Sequence, residues 1–332
     1  MVRIERLALS YNNVYAVDDG GGRIIVDTGP DYRGAQAAIN DWVAGVLHDA
    51  VVATHGHIDH AGLGAYWTGR GVPVLLGEDD FGVVVHPPLT SHEEYSKYQR
   101  FVHESGAPPN LVQELLRGLE QRRRMALAAY SASAQHLDQR RGGRWPTELR
   151  VLPFQPTALL AGPLSAGLDV KFLPGHTPGN AVLVHTDGFL FSGDQLLPGI
   201  TPTPSIQAAP HPWTNGWRFH SLPEFVKSLR TLSAIQFVRC YPGHGEPFDN
   251  VNEVIALNLA QVEERGQKVW TALAEGGSAA SLYGLAERLY PRALKRRFWQ
   301  IIATVQGHLD LLEAEGRVVP ASDETVSWSV VR

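Results

Sequence analysis

Four potential metal ligands, His55, His57, Asp59 and His60, fall within six residues directly after the short apolar run 50–53. Such a cluster is a poor choice for packing or for solubility, so the fold must bring it to a place where those side chains are used. Alternate residues of an extended segment point the same way. His55 and His57 can therefore grip one ion together, whereas Asp59 and His60 need a turn to face a second. Three further ligand-type residues stand beside glycines: His176 in Gly175-His176-Thr177-Pro178-Gly179, Asp194 after Gly193, and His244 in Pro242-Gly243-His244-Gly245. Glycine lets the backbone bend sharply enough for such side chains to converge. Imidazole and carboxylate are the donors zinc accepts where cysteine is absent. A lone histidine in a turn is usually a surface residue, so the remaining nine of the 14 histidines are read as ordinary.

The flanking pattern is mixed α and β. The runs 14–17 and 24–26 are β-rich and separated by Asp-Asp-Gly-Gly-Gly, a strong turn signal. Residues 34–48 have helical spacing, and 50–53 and 72–76 read as strands. The texture changes near residue 86. Residues 86–110 are rich in Pro, His and Tyr, and 111–141 are helical and strongly charged, so 86–147 is taken as a helical insertion that caps a pocket or contacts a second copy in a homodimer. Strands resume near Leu149 and at 168–173. Asp187-Gly188 marks a hairpin between 181–185 and 189–192. A Pro- and Trp-rich loop (195–220), a helix (223–234) and a strand (235–241) follow. The tail carries helical runs at 251–275, 279–290 and 294–315 and closes with a two-stranded ribbon, a winged-helix pattern. The 332 residues thus divide into a large domain, 1–248, and a small one, 249–332.

His-x-His-x-Asp-His, Gly-His-Thr-Pro-Gly, Gly-Asp and Pro-Gly-His-Gly, in that order over roughly residues 10–248, resemble the motif series of the metallo-β-lactamase superfamily. The resemblance implies an α+β fold, an αββα sandwich with metals at one edge. It implies that His55, His57 and His176 hold one metal, that Asp59, His60 and His244 hold another, and that Asp194 bridges them. Asp27, in Asp27-Thr28-Gly29, matches a strand-end position that supports the histidines, although a plain turn aspartate reads as well there. The cofactors expected are two divalent ions, zinc first, with iron or manganese accepted by the same donors. A water ionised near neutral pH by these cations would attack the substrate, with Asp59 as the catalytic residue that orients it or takes its proton. Cys240 reads as a packing residue.

Within the superfamily, the flavodiiron branch has a carboxylate where His57 stands and carries a flavodoxin domain, so redox chemistry is disfavoured. The glyoxalase II branch and lactonases share the ligand set. The loop Gly193-Asp194-Gln195-Leu196-Leu197-Pro198-Gly199 and the tail from Val305 resemble the branch of metallo-hydrolases with a C-terminal winged helix, which includes thioesterases and an endoribonuclease. The leading expectation is hydrolysis of a small-molecule ester, thioester or lactone. It suits the net charge of −5 and the aromatic loop with Trp213, Trp217 and Phe219. The alternative is a phosphodiesterase acting on RNA or DNA, favoured by the winged helix and by the runs Arg122-Arg123-Arg124, Arg140-Arg141 and Lys295-Arg296-Arg297. The single cysteine permits no intrachain disulfide. The first 13 residues carry charge where a signal peptide needs an apolar core, and no apolar run approaches the roughly 20 residues of a membrane span. A cytoplasmic protein is expected.

Overall fold

The computed structural model describes residues 2–10, 12–85, 91–129, 137–138, 148–149, 152–200, 204–210, 217–322 and 325–331. Alternation along the strands sorts their side chains into two layers. The first sheet comprises β1 (Arg3–Ala8), β2 (Asn13–Asp18), β3 (Arg23–Val26), β4 (Ala50–Val52) and β5 (Val74–Leu76). Between them run α1 (Ala35–Trp42), α2 (Ile58–Ala61) and α3 (Gly64–Thr68). Pairing is antiparallel from β1 to β3 and parallel from β3 to β5. On β2 and β3, Tyr15, Val17, Ile24 and Val26 point inward between the sheets, whereas Val14 and Ile25 point outward against Ala35, Ile39 and Trp67.

After β5 come a 3₁₀ turn (Glu78–Asp80), α4 (Phe81–Val85), α5 (His92–Glu104) and α6 (Pro109–Ala129), then the short pair β6 (Leu137–Asp138) and β7 (Glu148–Leu149). β8 (Thr157–Ala158) closes the first sheet beside β5. The second sheet is ordered β13-β12-β11-β10-β9 from β9 (Gly162–Pro163), β10 (Leu168–Phe172), β11 (Ala181–His185), β12 (Phe189–Gly193) and β13 (Arg239–Pro242), with α7 (Ser221–Ser233) preceding β13. Leu168, Val170, Ala181, Leu183 and Phe191 meet the inner face of the first sheet, while Val182, Leu190 and Cys240 face outward onto α7 and α8 (Val251–Glu275). The result is the expected helix–sheet–sheet–helix sandwich of an α+β fold.

The remainder holds β14 (Ala280–Ser281), α9 (Leu282–Leu289), α10 (Pro291–Leu294), α11 (Phe298–Ala314), β15 (Val318–Ser322) and β16 (Val326–Val330), with the strands in the order β14-β16-β15. α8 serves two cores. Val251, Val254, Ile255 and Val262 pack with α7 and the second sheet, and Val269, Ala272 and Leu273 pack with α9, α11 and Trp328.

Several elements differ from the sequence reading. The helix expected over 34–48 stops at Trp42, where the chain turns through Gly45 in the left-handed region and leaves Leu47 90% exposed. β1 was not anticipated, because its burial is only partial on both faces and no clean alternation results. α5 lies in the Pro-, His- and Tyr-rich part of the 86–147 helical insertion, where no separate helix was delimited. Its start is set by Ser91, whose hydroxyl accepts a hydrogen bond from Glu94 N at 3.0 Å, one half of a capping box with Glu94 in place. Residues 130–136, Arg140, Arg141 and Trp213 lie outside the described residues.

Candidate metal centre

The two sheets present their strand ends on one edge. Asp27 follows β3, His55 follows β4, His176 follows β10, Asp194 follows β12 and His244 follows β13. α2 supplies the turn that Asp59 and His60 require, with His57 as its extended N-cap residue. All seven residues singled out in the sequence converge there. Three groups place their ligand atoms within 4.8 Å of one another: His55, His57 and His176; Asp59, His60 and His244; and His55, His60 and Asp194. The third group spans the other two, which puts Asp194 between them.

Distances inside the cluster are short. His176 Nε2 lies 2.9 Å from His57 Nδ1, and His60 Nε2 lies 3.3 Å from His244 Nε2. Asp194 Oδ1 is 3.3 Å from both His60 Nε2 and His244 Nε2, and its Oδ2 is 3.5 Å from His176 Nε2. Asp59 Oδ2 is 3.2 Å from His244 Nε2. His55 Nε2 is buried with no hydrogen-bond partner among the described residues, which is what a ligand nitrogen aimed at a cation looks like.

Neighbouring groups aim these rings. Asp27 Oδ1 accepts from Thr54 N at 2.7 Å and from Thr54 Oγ1 at 2.8 Å, and its Oδ2 lies 2.7 Å from His60 Nδ1. A carboxylate only accepts, so His60 Nδ1–H donates and Nε2 is left with its lone pair toward the cluster. Thr54 Oγ1, having donated to Asp27, accepts from His55 Nδ1 at 3.1 Å and frees His55 Nε2 in the same way. Asp27 is thus a support for the histidines and not a plain turn residue. Glycine is required where the loops cross: a Cβ on Gly243 would stand 2.5 Å from His60 Cε1 and 2.7 Å from Asp194 Oδ1.

The electrostatics of the metal-free cluster suit a cation. Burial, then the neighbouring His60, His176 and His57, hold His55 well below the usual imidazole range, and burial with His57 pushes His176 down to about 3. Burial opposes ionisation of Asp59 and Asp194, but His60 and His244 outweigh it and both stay well below the usual carboxylate range. Burial likewise opposes charge on His60, yet Asp27, Asp59 and Asp194 carry it well above its ordinary value. His244 rises to about 10 despite its burial, through its hydrogen bonds to Asp194 and Asp59. The carboxylates thus draw positive charge into the site, as protons when nothing else supplies it, and metal binding displaces those protons.

Besides Thr54, four further supporting residues were not read from the sequence. Asn12 Nδ2 donates to Asp59 O at 2.7 Å, and Asn13 Nδ2 donates to Pro242 O and Gly245 O at 2.9 and 2.7 Å. Tyr15 OH donates to Pro242 O at 2.8 Å. Asp80 accepts from Gly56 N, Thr177 Oγ1 and Gly179 N. Cys240, by contrast, is the packing residue expected: it is fully buried, lies 3.3 Å from Ser192 Oγ, and burial pushes its thiol up to about 12.

A helix–sheet–sheet–helix sandwich with five histidines and two aspartates at one edge defines a metal-dependent hydrolase. The chain belongs to the metallo-β-lactamase superfamily, whose sequence profile matches residues 8–222. It is 26% identical over 319 residues to a probable metallo-hydrolase of Bacillus subtilis (strain 168), covering 91% of this chain and 88% of that protein. It is 27% identical over 186 residues to a β-lactamase-like protein 2 homolog of Drosophila melanogaster, covering 52% of this chain and 59% of that one. A metallo-β-lactamase family protein from Thermus thermophilus has the same fold with a TM-score of 0.69 at 22% identity, over 99% of this chain and 98% of its own. A β-lactamase domain protein from Burkholderia ambifaria superimposes with a TM-score of 0.70 at 21% identity, over 99% and 92%. No described helix is long and apolar enough to cross a membrane.

Proposed function

We propose that the chain is a dinuclear hydrolase of a small-molecule ester, thioester or lactone, acting in the cytoplasm. His55, His57 and His176 would hold one ion, Asp59, His60 and His244 the other, and Asp194 would lie between them. The carrying observation is the group His55, His60 and Asp194, which joins the two outer groups into one centre. Zinc is the metal these donors suit first, with iron and manganese next. When bound, the ions acidify a water and polarise the substrate oxygen. Asp59, the catalytic residue proposed, orients the attacking water and accepts its proton. Asp27 and Thr54 keep the Nε2 atoms of His60 and His55 turned to the site.

Two observations favour a small substrate over a nucleic acid. The basic run of α6 is engaged within the chain: Arg122 lies over the Trp299 ring at 5.8 Å, Arg123 lies over Tyr95 at 4.6 Å, and Arg124 pairs with Glu120 at 2.9 Å. We read residues 249–332 as a winged-helix-like domain in which α11 would be the recognition helix. Its residues Val305, Gln306, Gly307, His308, Leu309 and Asp310 are all buried, with Asp310 bound by Arg218 at 2.6 and 2.7 Å. A helix so covered packs and does not enter a groove. The second reading, a phosphodiesterase, rests on Arg292, Lys295, Arg296 and Arg297, which are exposed around the start of α11.

The test is metal content by elemental analysis on the purified chain, with turnover of p-nitrophenyl acetate, an acyl thioester, a homoserine lactone, bis-p-nitrophenyl phosphate and single-stranded RNA. Two ions per chain, and ester, thioester or lactone turnover that falls at least about 10³-fold in Asp194→Ala, support the reading. Phosphodiester turnover alone replaces it with the second. Fewer than one ion after supply of zinc, manganese or iron overturns both.

A further inference from the structure

We propose that Asp80 is a positioning residue that sets the His55, His57 and His176 position independently of its neighbour; the inference rests on the metal reading above. Asp80 ends the 3₁₀ turn after β5 and is 2% exposed. Its Oδ2 accepts from Gly56 N at 2.8 Å and from Thr177 Oγ1 at 2.6 Å, and its Oδ1 accepts from Gly179 N at 2.8 Å. Gly56 lies between His55 and His57, and Thr177 and Gly179 follow His176. One carboxylate therefore ties together two loops that are far apart in sequence and that carry all three imidazoles of this position.

The chemistry of the clamp explains why an acid stands there. Three donors converge on two oxygens, and only an ionised carboxylate accepts at every site without presenting a hydrogen of its own. The loops close around it because glycine leaves room. A Cβ on Gly179 would sit 2.7 Å from Asp80 N and 2.8 Å from its Cγ, and one on Gly56 would sit 3.2 Å from its Cβ. Burial lifts the Asp80 carboxyl above its usual range while the three hydrogen bonds act against that rise.

The other position has separate supports. Asp59, His60 and His244 are held by Asn12 on the Asp59 carbonyl and by Asn13 and Tyr15 on the Pro242-to-Gly245 loop, while Asp27 reaches His60 directly and His55 through Thr54 and so serves both positions. Those groups come from the N-terminal hairpin and the end of β3, and none of them bonds to Asp80. Loosening one clamp should leave the other in place.

The experiment is zinc titration of the full chain against a chromophoric chelator, for the wild type, Asp80→Asn and Asn13→Ala, with melts of each metal-free protein to show that it folds. Supporting groups of this kind alter metal affinity by about 10–100-fold. Asp80→Asn should weaken one ion at least about 10-fold and leave the other within about two-fold. Asp80→Asn added to His57→Ala should weaken binding little beyond His57→Ala alone, because both act on the same ion, whereas Asn13→Ala added to Asp80→Asn should weaken the remaining ion. Asp80→Ala checks the result should the asparagine variant keep part of the clamp. Two ions bound with wild-type affinity in both Asp80 variants, or equal weakening of both ions, would overturn the inference and leave the metal reading standing. A wild type that binds no metal would overturn the metal reading first.

Discussion

His60 Nδ1 and Asp27 Oδ2 meet at 2.7 Å with both side chains shut away from solvent, at 0% and 2% exposure. Asp27 makes this contact from a left-handed backbone, φ 65, the one such non-glycine residue among those described. That conformation costs on the order of 1–3 kcal/mol, and it persists because the same carboxylate also holds Thr54. Asparagine tolerates the left-handed region but has a single acceptor oxygen, so its amide NH2 would face either Thr54 or His60, both of which donate. Asp27→Asn should therefore keep the fold and weaken zinc binding by about 10–100-fold. Chelator competition measures this, and unchanged affinity would refute the orienting role.

Gly243→Ala tests the crowding at the crossing of the loops. The added methyl would press on His60 and Asp194 at once, and neither ring nor carboxylate can retreat without leaving the cluster. The expected outcome is loss of the ion at Asp59, His60 and His244 and a fall in turnover of at least about 10²-fold. Two ions retained with normal turnover would show that the loop yields more easily than its geometry suggests.

Replacing Arg122, Arg123 and Arg124 together with alanine separates packing from substrate contact. The two arginine–aromatic stacks each contribute about 0.5–1 kcal/mol, so the melting temperature should drop by a few degrees. Turnover of an uncharged ester should hold within about two-fold, and should change little between about 50 and 200 mM salt, a range over which a phosphate-gripping enzyme loses orders of magnitude. A steep salt dependence, or ester turnover lost with the arginines, would return the nucleic-acid reading to first place.

His308 predicts an acid sensitivity outside the metal centre. It is 1% exposed in α11, its Nδ1 donates to Thr304 O at 2.8 Å, and burial holds it below the usual imidazole range. Below about pH 6.5 the unfolded chain takes up a proton that the folded chain refuses, so this contribution is present above that pH and lost as pH falls. His308→Gln cannot show it. Melts at about pH 7.5 and about pH 5.5 should find the gap between wild type and variant narrower at the lower pH. Parallel curves would count against a neutral buried His308.

The seven ligand-type residues were legible because they carry chemistry in their identity and stand beside glycines or strand ends. Their supports were not. Asp80 sits in Glu78-Asp79-Asp80, and nothing local distinguishes the one buried acid from its two neighbours; its role arises from Gly56 and Gly179, 24 and 99 positions away. Asn12 and Asn13 look like ordinary turn residues at the start of β2, yet their partners lie 47 and 229 positions off. Strand pairs marked by a turn dipeptide, such as 181–185 with 189–192 around Asp187-Gly188, were readable to within a residue. α5 falls in the insertion read as helical over 86–147 but was given no bounds of its own although Ser91 and Glu94 spell its start, because proline and histidine richness masked the signal.

Helix α8, whose first turns lie in the core of the second sheet and whose last turns lie among α9 and α11, is a shared beam. At 25 residues it runs about 37 Å. Neither end can melt without baring apolar surface belonging to the other, so heat should dissolve the whole chain in one calorimetric step. Chimeras that graft a different tail after residue 248 would inherit a beam cut for someone else's walls.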